Sequence, residues 1–222
     1  MNKPNTDRPE VSSYAGKRPE YFEGARADFV DDLPGHAKVL EIGCGAGGTG
    51  ALALATGRAV RYHGVEIEPS AAKAAAERLT EVLVGDVEQI DLPWKPGYFD
   101  ALFMSEVLEH LRDPWTVLRR LRPLVRRGGL VCASSPNVAH YRIIQMMLAG
   151  RWTLESEGAM DATHLRWFTP ESYAEMFTTC GFVVDTVAPL VPLTVKQRVA
   201  AAATRHPHLF WVQVNLRGHV PA

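Results

Sequence analysis

Cysteine is scarce in this chain: Cys44, Cys132 and Cys180 are the only three in 222 residues. They form no C-x-x-C pair, which argues against a disulfide framework or a structural zinc site and fits a reducing cytoplasm. Neither sign of charge is in excess, with 24 Lys+Arg against 25 Asp+Glu and a formal net charge of -1. That balance supplies no electrostatic reason to expect a nucleic-acid backbone as partner. No apolar run approaches the roughly 20 residues of a membrane span. The start, Met1 to Glu10, is polar and proline-bearing rather than signal-like. Repeats and low-complexity tracts are absent as well. What remains is ordinary globular composition, 46% hydrophobic and 22% charged, and a length that suits one domain with a substantial core. The expectation is a soluble, cytoplasmic protein with a small-molecule partner, bound to neither membrane nor nucleic acid.

The stretch around which the chain can be arranged is Lys38-Val39-Leu40-Glu41-Ile42-Gly43-Cys44-Gly45-Ala46-Gly47. Its apolar residues suit a strand buried on both faces. The alternate glycines suit a sharp turn where side chains would keep a ligand from the backbone. Thr49 to Ala55 is short, Ala-rich and helix-compatible. Strand, glycine turn, helix is the nucleotide-binding corner of a doubly wound domain. Gly43, Gly45 and Gly48 also satisfy G-x-G-x-x-G, so the turn alone does not separate a nicotinamide cofactor from other adenosine ligands.

Residues 1 to 13 read as a disordered tail, and 14 to 222 as the folded domain. Tyr14 to Asp32 reads as an amphipathic helix, with core packing the favoured role for its aromatics; the alternative is that Tyr14, Arg18 or Tyr21 closes over a ligand. Further strands are expected at 61–67, 81–85, 99–105 and 130–134. Ser70 should cap a helix through Arg78, Pro114 should open one through Leu121, and Gly128-Gly129 should turn into the fifth strand. Strands alternating with helices at this spacing mean a parallel sheet. The arginines at 119, 120, 122, 126 and 127 read as a solvated face with no function. Beyond Asn137 come a Met-bearing helix, Tyr141 to Leu148, and a loop carrying Trp152, Asp161, His164, Trp167 and Phe168, placed where a substrate lid belongs. Thr169-Pro170 opens another helix to Thr179. A strand at 182–188, a short helix within 189–205 and a last strand at 209–217 complete the chain.

Ligands of an open parallel sheet bind beyond the carboxyl ends of its strands, and there Glu41, Glu66, Asp86 and Glu106 are expected. Glu66, about 20 residues past the glycines, is placed to accept from ribose hydroxyls. Such a carboxylate cluster repels a pyrophosphate and favours a cation. A sulfonium bearing an α-amino group is such a cation.

With these features in order, VLEIGCGAG (39–47), GVEIEPSAAKAA (64–75), VLVGDVEQIDLP (82–93), FDALFMSEVLEHLRDPWTVLRRL (99–121) and GGLVCASSPN (128–137) resemble the successive motifs of class I S-adenosylmethionine-dependent methyltransferases. The resemblance implies a Rossmann-like α/β domain, a seven-stranded, mostly parallel sheet with an antiparallel last strand and helical lid insertions. It implies that Gly43 to Gly47, Cys44 and Gly45 included, approach the methionyl part of S-adenosylmethionine. Glu66 with Ile67 would hold the ribose, Asp86 with Val87 would flank the adenine, and Ser105 and Glu106 would lie beside the sulfonium. Tyr21, Glu41 and His110 complete the expected cofactor shell. The later segments Ser135 to His140 and Asp161 to Thr169 are similar to a bacterial subgroup acting on sugars, polyketides or other specialised metabolites.

Transfer to a hydroxyl needs a base, and a histidine is the usual agent. The expected order is His140, then His164, then His110, with Asp161 as fallback. Glu106, Glu109 and His110 share a helical spacing, and EVLEH resembles that of quinone-pathway O-methyltransferases, where the trio can hold magnesium; packing at the cofactor edge is preferred and no metal is assigned. A nitrogen or carbon acceptor, or a silent cofactor-binding protein, would use the same cleft. A nicotinamide oxidoreductase ranks below both, because no Tyr-x-x-x-Lys pair of the short-chain type is present.

Overall fold

The structure is a computed structural model that describes residues 22–222. The expected tail and residues 14–21 of the expected first helix, including Tyr14, Arg18 and Tyr21, lie outside the described residues; of the remainder, 22–26 are not α-helical. The helix that is described, α1 (Ala27–Asp31), buries Phe29 and Val30.

Seven strands form one sheet: β1 (Ala37–Ile42), β2 (Ala59–Glu66), β3 (Glu81–Val84), β4 (Phe99–Ser105), β5 (Val125–Pro136), β6 (Val183–Pro189) and β7 (Gln213–His219). Their spatial order is β3-β2-β1-β4-β5-β7-β6. The pairs among β1 to β5 are parallel, and β7 runs antiparallel to both β5 and β6. The chain winds outward from β1 to β3, then returns to the middle and winds the other way from β4. The switch point therefore lies between β1 and β4, and a crevice opens beyond their carboxyl ends.

Alternation along the central strands buries both faces. Leu40 and Ile42 with Leu102 and Met104 join one core cluster, and Val39 with Ala101 and Phe103 joins the other. Helices α2 (Gly48–Ala55), α3 (Pro69–Ala76), α4 (Pro114–Leu121), α6 (Pro170–Thr179) and α7 (Val195–Thr204) follow the strands, and α5 (Tyr141–Leu148) lies in the insert. Their starts have local causes. Asp113 accepts from Thr116 N at 3.0 Å, and Thr169 with Ser172 and Thr194 with Gln197 form reciprocal caps. No helix among the described residues is long and apolar enough to cross a membrane.

Local expectations give way in places: the last strand begins at Gln213 rather than 209, because Pro207–Phe210 forms a short 3-10 helix. Ser70 does not cap α3; Glu68 occupies that position, its carboxylate accepting from Ser70 N at 3.3 Å. The pair Gly128-Gly129 lies inside β5 rather than before it. There the pairing with β4 jumps from Phe99–Val125 to Ala101–Leu130, and Gly128, at φ +67°, takes up the extra residues.

Candidate active site

A cleft of about 860 Å³ opens at the switch point. Glu41, Gly43, Cys44, Gly45, Glu66, Ile67, Asp86, Val87, Ser105, Glu106 and His110 all line it, together with Asp161 and His164 from the insert. Gly47 and His140 are not part of that lining. Tyr21 lies outside the described residues.

The glycine turn is left-handed at Gly43, Gly45 and Gly47, with φ of +68°, +53° and +82°. At Gly45 a second constraint applies: a Cβ would stand 2.5 Å from the backbone oxygen of Phe22. That oxygen also accepts from Ala46 N at 2.9 Å. The room that glycine leaves at this position is filled by the segment preceding α1, which straps the turn from outside.

Glu66, at the tip of β2, is buried and braces the same turn from inside. Its two oxygens accept from Gly45 N at 2.8 Å and from Glu68 N at 2.9 Å. Burial raises its pKa, while the N–H groups of Glu68, Gly45 and Ile67 oppose the shift. Glu41 lies deeper, and burial pushes its carboxyl up to about 7 against the pull of hydrogen bonds from Tyr62 and Thr49. The Tyr62 hydroxyl donates to it at 2.9 Å. The Cys44 thiol is raised by burial and by Glu41 and Glu66, which keeps it unreactive. Asp86 accepts from Glu88 N at 2.9 Å and from the Gln89 amide at 2.7 Å.

Past β4, Glu106 adopts φ +54°, a left-handed conformation uncommon for a side-chain-bearing residue. Its N–H donates to Ser134 O at 3.1 Å, tying the ends of β4 and β5 together. Burial raises the carboxyl of Glu106, and burial together with Glu106 raises that of Glu109 well above the ordinary range. The Glu109 carbonyl accepts from Leu165 N at 2.8 Å and Arg166 N at 2.9 Å, clipping the insert onto the cleft edge.

Sequence reasoning missed Arg26. Its guanidinium reaches across three strand ends, donating to Ser105 Oγ and Ser134 Oγ at 2.7 Å and to Asn215 Oδ1 at 3.1 Å. Two further bonds go to Asp28, at 2.8 and 2.9 Å. All five guanidinium N–H groups are thus engaged, so Arg26 acts as a clamp whose charge partly offsets the carboxylates. Its partners on the strands, Ser105, Ser134 and Asn215, lie far from it in sequence, and no periodicity announces them.

The candidate bases separate. His110 and His164 meet at the cleft edge with ring centroids 4.7 Å apart, and Asp161 is buried behind them. His140 instead occupies the residue before α5, making no side-chain cap bond, with its ring 4.6 Å from that of Tyr141, and burial with Arg142 lowers its pKa.

Among the described residues, the donor atoms that converge within 4.8 Å of one another belong to Glu109, His110 and His164. Glu106 is not among them, so the trio by which the quinone-pathway resemblance would hold magnesium is not assembled. Two imidazoles and one carboxylate are also a poor set for a cation that prefers oxygen.

The model of the methyltransferase domain family matches residues 14–187. The chain belongs to that family. It is 36% identical over 119 residues to the ubiquinone biosynthesis O-methyltransferase of Pseudomonas aeruginosa (strain UCBPP-PA14), an alignment covering 50% of each protein. The match therefore spans half the length of that relative. Over 171 residues the chain is 29% identical to the ubiquinone biosynthesis O-methyltransferase of Chromobacterium violaceum, covering 73% of this chain and 72% of the other. Among solved structures, the S-adenosylmethionine-dependent methyltransferase of Mesorhizobium loti superposes with a TM-score of 0.62 at 15% identity, covering 93% of this chain and 100% of that one. At that identity the likeness is one of fold. This methyltransferase domain thus has the cofactor expected of its family, S-adenosylmethionine.

Proposed function

We propose that the chain transfers the methyl group of S-adenosylmethionine to a hydroxyl oxygen of a small metabolite, in biosynthesis, with His110 taking the proton. The observation that carries this reading is the juxtaposition at the switch point of a carboxylate-rimmed adenosine site and an imidazole pair from two different segments.

The carboxylates of Glu66 and Asp86, on the rim of one cleft with the more deeply buried Glu41 and Glu106, favour a cationic sulfonium over a diphosphate. The Glu66 carboxylate, already held by the N–H groups of Gly45 and Glu68, has acceptor directions to spare, which serve the ribose hydroxyls. Asp86 and Val87 flank the adenine, and the glycine turn receives the methionyl part. The transfer is an in-line displacement. The acceptor oxygen forms a bond to the methyl carbon while the carbon–sulfur bond breaks with its electron pair passing to sulfur. The cation becomes a neutral thioether, and the hydroxyl proton passes to the imidazole. The protein's part is alignment, exclusion of water and custody of that proton.

An oxygen acceptor is supported by the names of the relatives, which include a 27-O-demethylrifamycin SV methyltransferase of Amycolatopsis mediterranei, 31% identical over 98 residues. A specialised metabolite fits that range, and a sugar acceptor rests only on the similarity of Ser135 to His140 and Asp161 to Thr169 to the bacterial subgroup. The test is incubation of the protein with methyl-labelled S-adenosylmethionine and a panel of hydroxylated, amino and carbon acceptors, read by mass spectrometry. Label on an oxygen of a small molecule supports the reading, and label only on nitrogen or carbon overturns it.

A further inference from the structure

The geometry points to Thr163 as the residue that sets the tautomer and the basicity of His110, by passing to it the charge of the buried Asp161. This rests on the reading of His110 as the base.

Among the described residues, the hydrogen bonds around Thr163 agree on one assignment. Asp161 Oδ1 accepts from Thr163 N at 2.9 Å and from Thr163 Oγ1 at 2.8 Å. A hydroxyl has a single proton, and here Asp161 receives it. Thr163 Oγ1 therefore faces His110 Nδ1, 3.0 Å away, as an acceptor. The backbone carbonyl of the same Thr163 lies 3.4 Å from the same nitrogen, and a carbonyl can only accept. Both contacts require Nδ1 to carry the proton, which puts the lone pair of the neutral ring on Nε2. Asp161 is 2% exposed and Thr163 is 7% exposed, so the chain from carboxylate to imidazole is shielded from water. In such surroundings an anion two bonds away stabilises the imidazolium more than it would in solvent.

Other ionisable groups face the same imidazole. Glu109 precedes it, His164 stands across from it, and Glu106, Arg112 and Glu157 line the same cleft. Burial drives Glu106 and Glu109 towards their neutral forms, whereas Asp161 is tied to Thr163 by two donated hydrogens. Thr163 sits 53 residues from His110 in sequence, in the insert that the Glu109 carbonyl clips down. The base is therefore oriented only while that segment is docked. Thr163 and Asp161 are positioning residues: they hold the ring and do not touch the reacting atoms.

The test is nitrogen NMR of the full chain, labelled in histidine and titrated from acid to alkaline pH, for the parent and T163V, T163S, D161N and H110Q, the last assigning the signal. Parental His110 should show a protonated Nδ1 and an unprotonated Nε2 once neutral. In T163V and D161N the acid constant of the ring should rise about tenfold, one pKa unit downward, with loss of the single tautomer. T163S should restore both. The acid limb of kcat against pH should move down by the same amount in T163V, with S-adenosylmethionine affinity near parental and a lower melting temperature as the buried Asp161 loses one donor. An unmoved tautomer and pKa in T163V overturn the inference, as does failure of T163S to restore them. If the NMR changes appear while H110Q keeps parental turnover, the relay stands and it is the assignment of His110 as base that fails.

Discussion

The carboxylate of Glu66 accepts the backbone N–H of Gly45 at 2.8 Å, so the tip of the second strand holds the turn that follows the first. One side chain thereby both shapes the glycine turn and faces the cleft. The consequence is that Glu66→Gln should do two separable things. Its amide keeps one acceptor but offers hydrogens to an N–H, leaving one buried donor poorly satisfied at a cost of about 1–3 kcal/mol. It also removes a charge-assisted acceptor from the adenosine site. Melting temperature should fall and S-adenosylmethionine affinity should drop by roughly tenfold or more. A variant that melts lower yet binds as the parent would show that Glu66 only shapes the turn.

Glu41 makes stability pH-dependent. Burial raises its carboxyl from an ordinary 4.5 to about 7, so between those values the folded chain binds more protons than the unfolded one. The stability associated with this group is fully present below pH 4.5 and is lost as pH rises to about 7, by roughly 3 kcal/mol at most. Glu41→Gln keeps an acceptor for Tyr62 and removes the titration. Denaturant unfolding at several pH values should find the parent losing ground to the variant across that window. A difference independent of pH would contradict the account.

Gly45→Ala combines a left-handed φ of +53° with a Cβ 2.5 Å from a backbone carbonyl oxygen. Backbone cannot yield as a flexible side chain would. The expected cost is about 1–3 kcal/mol, with displacement of the strap and a marked loss of cofactor binding. Full binding at parental stability would mean the strap is not held as described.

Magnesium is not expected to be required, because Glu106 stands outside the converging donors Glu109, His110 and His164. Turnover after treatment with EDTA should match the untreated protein. Loss of activity restored by magnesium alone would contradict that expectation.

Much of this fold is legible in the residues, and the reasons are local. Asp113-Pro114 marks a helix start by chemistry that needs no tertiary context, and α4 spans Pro114–Leu121 as the sequence reading has it. The strand ends bearing Glu41, Glu66 and Glu106 follow from apolar runs stopped by glycine or charge, and those residues do line one cleft. What was illegible is long-range. Arg26 meets Ser105, Ser134 and Asn215 only because the switch point gathers three strand ends. His140, first in the expected order of bases, is followed at the next residue by helix α5, and its ring lies against Tyr141. Thr163 carries no signal in sequence, since its role exists only where the insert meets the turn after the fourth strand.

The central claim is that this cleft holds a sulfonium nucleoside and not a diphosphate dinucleotide. Isothermal titration of the full chain with S-adenosylmethionine, its demethylated product and NAD tests it most directly. The account predicts one-to-one binding of the first two, weakened in Glu66→Gln, and no heat from NAD. Binding of NAD with no response to S-adenosylmethionine would contradict it.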